Sequence, residues 1–399
     1  MTTQNIGSVP QGVDRHRFSR RDFLRGGMAL GAFGAAAPYL LGGTAEATGR
    51  LLAAAAGSIK GTIDFLSWDA YDLRFPLMDQ WRKQNGIGMN STYISDYPEI
   101  PAKLTSPASR GLYNLATYGA QYGQEWKELG ILTPLDMTKI PNYANSLAYF
   151  KSGTTWERYW NFDGHQWGIP FTWSYATNNY NSSKIGPPKT TADFLKPEFK
   201  RKFALNDDYQ GEILLAAQVL KIANQKGLFT PAQLKQIVNF LNELKKNALL
   251  IAPSNGDIAN LFASGEIVAC VDGFLGMQEL VAQKGVTSIR SVVPAEGSFS
   301  FVDSFFIPAG SNDTDSVYAF INESLAPPMQ AQESGYLQAG VTTVNGVAAL
   351  SAANKAAYQP SNVAALFATA PLFDLPTNPP KGYTSIADWE NAWESVKAS

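Results

Sequence analysis

Short apolar runs and amphipathic stretches alternate along the chain from residue 62 onward. TIDFLSW (62–68) has the unbroken apolar character of a buried strand, and LRFPLMDQWRKQ (73–84) repeats its apolar positions at helical spacing in spite of Pro76. MNSTYIS (89–95), EIPAKLTS (99–106), NLATYG (114–119) and YGQEWKELG (122–130) continue as strand, short helix, strand and helix, the last stopped by Gly130. Such alternation builds parallel sheets with helices on both faces, and their ligands lie beyond the carboxyl ends of the strands. The strand ends here are Ser67-Trp68-Asp69, Ser95-Asp96-Tyr97 and Tyr118-Gly119-Ala120.

WGIPFTWSYATNNYN (167–181) is long for one strand and dense in aromatics. A second α/β run follows it. KFALND reads as a strand, EILLAAQVLKIANQ as a helix, and PAQLKQIVNFLNELKKN (231–247) as a helix with Pro231 in its first turn. GDIANLFASG is a short helix, EIVACVDG (266–273) a strand, GFLGMQELVAQKG a helix and IRSVVP a strand. A second long extended segment, SFSFVDSFFIP (298–308), comes next, and the chain from Asp313 reads as mostly helical. Two extended segments separating two α/β runs predict an α/β fold of two lobes. The first lobe is discontinuous, residues 60–172 plus 305–399, the second is 182–297, and the hinge crossings are 173–181 and 298–304. Two lobes that close on a cleft about such a hinge are the type II-like arrangement of periplasmic binding proteins.

The N-terminus is different in kind. Residues 15–27, RHRFSRRDFLRGG, lead into an Ala/Gly-rich apolar segment and then TAEAT, the layout of an export signal. Arg20–Arg21 followed by Asp22, Phe23 and Leu24 matches a twin-arginine signal, with cleavage expected after Ala47. Removing the five arginines and three acids of 1–47 takes the net charge from −2 to −4, 27 basic residues against 31 acidic. That balance disfavours nucleic acid. The one cysteine, Cys270, allows no disulfide and lies far from the cleavage region, so the expectation is an exported periplasmic protein without a lipid anchor. No apolar run after residue 60 is long enough to span a membrane. After removal of 1–47, which takes His16 with it, one histidine, His165 in NFDGHQWG, and one cysteine remain and cannot assemble a zinc site, and no dinucleotide or P-loop string occurs, so neither metal nor cofactor is expected.

LNDDYQGE (205–212) places Asp207, Asp208 and Glu212 at a helix start. A helix N-terminus stabilises an anion by about 0.3–1 kcal/mol, which favours permanent carboxylates over the raised pKa of a general acid. A capping box needs its acid or amide three residues after the cap. Counting from Asp207 gives Gln210, so Asp207 is the expected cap, leaving Asp208 and Glu212 to face a ligand. Asp272 ends an apolar strand, as a ligand group or as a cap on a helix from Phe274. Asp303 lies inside the apolar run SFSFVDSFF, where an unpaired carboxylate is costly.

WGIPFTWSYATNNYN, TTADFLKPEFKRKFALNDD, FASGEIVACVDG and PAEGSFSFVDSFFIPAGSND, in that order, resemble the polyamine-type extracellular solute-binding proteins of ABC importers over most of residues 60–350. The resemblance implies a transport receptor that is not an enzyme, with spermidine or putrescine held between aromatic faces and carboxylates receiving the ammonium groups. The family's Trp-x-x-Tyr matches at Trp68 and Tyr71; Ala70 stands where the family has Glu, with Asp69 one place earlier. The family's Asp–Glu pair falls on Asp208 and Glu212 with one extra residue between them. A strand-end Trp is lost at Val271-Asp272-Gly273, which gains an acid; a second Trp is Phe301 in Phe301-Val302-Asp303-Ser304; and a serine is Gly119. Tyr118, Tyr122 and Trp173, at strand ends or crossings, complete an aromatic set that can hold an alkylammonium by cation–π attraction. The same rings also stack on sugars; four carboxylates, Asp69, Asp208, Glu212 and Asp303, exceed what a neutral sugar requires. The expected partners are a small cationic amine, an ABC permease in the inner membrane and the twin-arginine translocase. The alternatives are another polar solute (an opine, amino acid derivative or sugar) and an exported glycoside hydrolase working with two carboxylates.

Overall fold

The structure, a computed structural model, describes residues 59–399 except 95–98, 152–156 and 313. The signal-like segment 1–47 and the strand end Ser95-Asp96-Tyr97 lie outside the described residues. Strands β1 (Gly61–Ser67), β2 (Ile87–Tyr93) and β3 (Leu115–Gly119) are parallel, in the order β2-β1-β3. A hairpin of β4 (Asn161–Phe162) and β5 (His165–Gln166) turns on Asp163 and Gly164, both at positive φ, and leaves His165 exposed on the surface. The long segment forms one strand, β6 (Ile169–Asn181). Then β7 (Phe203–Asn206), β8 (Leu250–Ala252) and β9 (Ala269–Phe274) form a second parallel set, β9-β7-β8. The remaining strands, β10 (Ile289–Val292), β11 (Ser300–Phe306) and β12 (Gly340–Val341), are all antiparallel to β6.

β6 joins the two sets. Its first half, to Tyr175, pairs with β11, which also pairs with β3; from Ala176 it pairs with β9. The fold is therefore α/β with two sheets fed by one crossing strand. Among the described residues no helix is long and apolar enough to cross a membrane.

Two local differences from the sequence reading have simple causes. The first helix is Pro76–Gln84, because proline at its first position gives up a hydrogen bond that no helix start can make, and Leu73 just before it has φ +51°. The helix Tyr209–Val219 begins three residues before EILLAAQ, on the Asp208 cap, and buries every residue from Gly211 to Gln218. A helix apolar on all sides must be covered on all sides. It lies between β9, the helix Pro231–Asn247 and the C-terminal helix Ile386–Ala398.

That packing corrects the domain boundary. The sequence reading places residues up to 399 in the first lobe, but Trp389, Trp393 and Val396, one face of the last helix, are buried with Phe229, Leu234 and Ile237 of the second. Lys245 donates to the carbonyls of Val396 (2.9 Å) and Lys397 (2.8 Å), covering the orphan acceptors of the helix end. The C-terminal helix thus belongs to the 182–297 lobe in space.

Candidate functional site

Strand alternation sorts the candidate residues into those on the ligand side and those in the core. Successive side chains on a strand point to opposite faces. Tyr118 on β3 turns away from Gly119 and is fully buried against Trp126 and Phe306, its hydroxyl donating to the Tyr159 carbonyl at 3.2 Å. A methyl at Gly168 would stand 2.7 Å from the Tyr118 ring, so the close approach of that glycine is part of the packing. Trp173 on β6 is likewise fully buried, packed on Phe367 with its indole N–H donating to the Val341 carbonyl at 2.9 Å. Both are core residues, and their expected ligand role is corrected on that ground.

The remaining candidates collect in two groups. The first belongs to β1, its following turn and β11. Trp68 is buried at the end of β1, and the half-buried Asp69 carboxylate accepts the Ala70 amide at 3.0 Å. The hydroxyl of Tyr71 donates to the Asp303 carboxylate, and its ring meets Phe171 edge-on at 5.2 Å. Phe301 and Asp303 are two apart on β11 and so share a face, opposite Ser174 and Thr172 of β6.

The second group is acidic and lies in the other lobe. Asp208 is the helix cap, its carboxylate accepting the amides of Gln210 (3.0 Å) and Gly211 (3.1 Å). This corrects the assignment of the cap to Asp207. Asp207 instead accepts the Trp393 indole N–H at 2.7 Å and pairs with Lys397 at 3.1 Å, because it faces the C-terminal helix rather than the helix it precedes. Asp272 caps nothing: β9 runs on to Phe274 and the next helix begins only at Met277. Asp272 holds φ +51°, an uncommon backbone state for an aspartate in a strand. Its carboxylate lies directly over Gly211, where a methyl would stand 2.6 Å from Asp272 Cγ. The absence of a side chain at 211 is what lets the two segments meet.

Glu212 and Asp272 are 1% and 4% exposed. Glu212 accepts the Asn206 amide at 3.0 Å through Oε1, while Glu212 Oε2 and Asp272 Oδ2 are buried without any donor. Among the described residues neither carboxylate has an ion pair. Burial pushes the Glu212 carboxyl well up, with Asp208 and Asp207 adding repulsion against the opposing Asn206 amide. Burial, then Asp208 and Glu212, push Asp272 well up, with Asn206 acting the other way. The expectation that the helix start keeps these acids permanently ionised fails for Glu212, since the cost of burying a carboxylate, several kcal/mol by order of magnitude, exceeds what a helix end returns.

The groups meet across the interface of the lobes. Gln210 Nε2 donates to the Tyr122 hydroxyl at 2.9 Å, and Tyr122 stacks on Trp126. One apolar cluster contains Trp68, Tyr122 and Trp126 together with Leu214, Phe373 and Leu375, and both Tyr71 and Tyr209 pack against it. Arg158 adds two bonds to Asp374, at 3.0 and 3.2 Å, and Asp374 is itself tied to Gln225. Sequence reasoning missed Asn206, Gln210 and Gly211. The strand-end rule applied to KFALND would have found Asn206; Gly211 carries no sequence signal, since its neighbour Asp272 is 61 positions away. A surface cavity of about 670 Å³ lined by Gln218, Lys221, Glu296 and Phe373 lies at the other end of the 209–219 helix and contains none of these acids.

A family described as bacterial extracellular solute-binding protein matches residues 77–390. The chain belongs to that family. Its members are solute-binding proteins of ABC transporters, non-enzymatic in general. The chain is 29% identical over 303 residues to the spermidine/putrescine-binding periplasmic protein of Escherichia coli K12, covering 74% of this chain and 80% of that one. It is 23% identical over 357 residues to the putrescine-binding periplasmic protein PotF of the same organism, covering 84% and 92%. The crystal structure of the spermidine/putrescine ABC transporter substrate-binding protein PotD from Streptococcus pneumoniae superposes with a TM-score of 0.65 at 20% identity, over 84% of this chain and 97% of that one. The two-lobed α/β fold is therefore that of the substrate-binding proteins.

Proposed function

We propose that the protein captures a small cationic amine, a polyamine or a close relative, in the cleft between its lobes and presents it to an ABC permease in the inner membrane. The observation that carries the reading is the pair of buried carboxylates, Glu212 and Asp272, each with an oxygen that lacks a donor and neither with a cationic partner among the described residues. An ammonium group supplies both the missing donors and the missing charge. Asp208 at the same helix start, and Asp303 with Tyr71 on the other lobe, suit the two ends of a ligand with more than one charge. Trp68, Tyr71, Tyr122 and Phe301 are the aromatic faces that remain for its alkyl chain, and Asp69 stands one place before Ala70, where the family resemblance implies a glutamate. The names of the relatives support the same ligand class.

Export through the twin-arginine route to the periplasm follows from Arg20–Arg21 and the segment after it. Cys270 is buried in β9 and offers no site for an acyl anchor. A second reading, acid catalysis, draws on the raised Glu212 carboxyl. Hydrolysis of aryl glycosides by the purified protein would favour it, and the proposal expects no turnover.

A thermal-shift panel of putrescine, spermidine, γ-aminobutyrate, basic amino acids, an opine and maltose tests the ligand class. A ligand at about a thousand times its Kd adds roughly 4 kcal/mol to stability, enough to raise the melting temperature by several degrees. Shifts with the amines are expected; a shift with maltose alone overturns the assignment.

A further inference from the structure

Among the described residues the two acids that would receive the ligand are buried with no ion pair to neutralise them, whereas several other acids have one. Asp207 has Lys397, Asp374 has Arg158 and Asp72 has Arg74. Glu212 and Asp272 are buried side by side against the first turn of one helix, with Gly211 leaving room for Asp272 beside Glu212. The titratable groups acting on them are all acidic: Asp207 and Asp208 from the β7–helix junction and the Cys270 thiol from β9. From β6 the neighbouring side chain is the uncharged Asn179, which accepts from the Cys270 thiol at 3.5 Å. Two uncompensated carboxylates that share a buried site cannot both stay ionised. Each also leaves one oxygen without a donor, the place where a carboxylic O–H or an incoming N–H would sit.

We propose that Glu212 and Asp272 hold one proton between them in the empty cleft, and that an ammonium group of the ligand takes its place on capture. This rests on the amine reading above. The balance is simple: a carboxylic O–H ionises, its proton leaves to solvent, and the N–H groups of the ammonium bond to the oxygens left behind. Charge in the site changes by the ligand's charge less that of the proton. Binding of a cation is thereby linked to release of a proton, so affinity rises with pH through the range above the ordinary carboxyl value. The limiting slope is about tenfold per pH unit for one proton released. The upward displacement of both carboxyls by burial and by Asp208 is in keeping with this.

The test is titration calorimetry of the purified protein with putrescine in phosphate and in Tris at one pH, repeated between pH 5.5 and 8. The expected result is an enthalpy that differs between the buffers in proportion to their heats of protonation, with the sign of release. Affinity is expected to climb with pH. Glu212→Gln and Asp272→Asn, close in shape and without a titrating proton, should each bind more weakly with most of the buffer dependence lost. Putrescine binding with equal heats in both buffers and a flat pH profile overturns the proton exchange while leaving the amine site standing. Variants that bind but keep the full buffer dependence place the proton elsewhere and overturn it too. Absence of amine binding at every pH overturns the ligand reading itself, and the exchange with it.

Discussion

Gly211→Ala is the substitution that probes the site most sharply from outside the acids themselves. The position is the third of its helix, where alanine normally gains up to about 1 kcal/mol over glycine. Its φ is not positive, so the backbone has no objection. The obstacle is Asp272. A methyl at 211 would stand 2.6 Å from Asp272 Cγ and 2.7 Å from Oδ1, with Oδ2 nearer still, whereas ordinary contact begins at 3.4 Å. Overpacking of this kind costs about 1–3 kcal/mol, so the net loss of stability is roughly 0–2 kcal/mol after the helix gain. The effect on binding is larger in proportion. Displacing Asp272 removes a hydrogen bond to a charged group, roughly 1.5–3 kcal/mol, or about 10- to 150-fold in Kd. Thermal unfolding and putrescine titration read the two quantities separately. Gly186→Ala, with open space around the position, is the control and should stay within about 0.5 kcal/mol of the parent. A Gly211→Ala protein that melts above the parent and binds putrescine with unchanged affinity would refute the reasoning.

Four further outcomes are expected. In the empty protein Glu212 and Asp272 have folded-state pKa values above their unfolded ones, so their stabilisation is complete below the ordinary carboxyl value and is lost as pH rises through the raised one. Glu323, pushed up to about 7 by burial, has the same sign; in melts from pH 5 to 8, Asp272→Asn should lose stability less steeply than the parent and melt above it at pH 8. Asp207→Asn should loosen the C-terminal helix by about 0.5–1 kcal/mol through Lys397 and Trp393, measured by denaturant unfolding, with putrescine affinity near the parent's. Tyr71→Phe withdraws the phenol from the buried Asp303 and should cost about 1–3 kcal/mol of stability, measured the same way. Arg158→Ala removes a half-exposed ion pair with Asp374, whose amide is bonded to Gln225 of the second lobe, and should weaken ligand binding by no more than about 1 kcal/mol, less still at high salt, read by titration at two ionic strengths.

Much of the fold was legible because its signals are local. Alternating strand and helix periods placed β1, β3, β7 and β9, and the two long extended runs stand at the centre of the sheets as β6 and β11. The C-terminal helix was misassigned because its amphipathic face, Trp389, Trp393 and Val396, states that it packs but not against what. Site residues divided in the same way. Tyr118 and Trp173 could have been set aside from sequence, since strand alternation puts each on the face opposite the polar neighbours Thr117 and Gly119, or Thr172 and Ser174. Asp207 and Asp208 could not be sorted, because which acid caps a helix depends on where the strand before it ends. The raised state of Glu212 was out of reach for a different reason: it arises first from burial, with Asp208 and Asp207 adding repulsion, and how deeply a helix start is buried is settled by packing, including the approach of Asp272 from β9 over Gly211.

Equilibrium dialysis of labelled putrescine against the purified protein, beside the Glu212→Gln/Asp272→Asn double variant, tests the central claim most directly. The account predicts saturable binding at one site per chain, competed by spermidine and untouched by maltose, and at least tenfold weaker in the double variant, the loss of about 1.4 kcal/mol or more that removing charged hydrogen-bond partners implies. Equal retention of putrescine by parent and double variant, or competition by maltose, would contradict it.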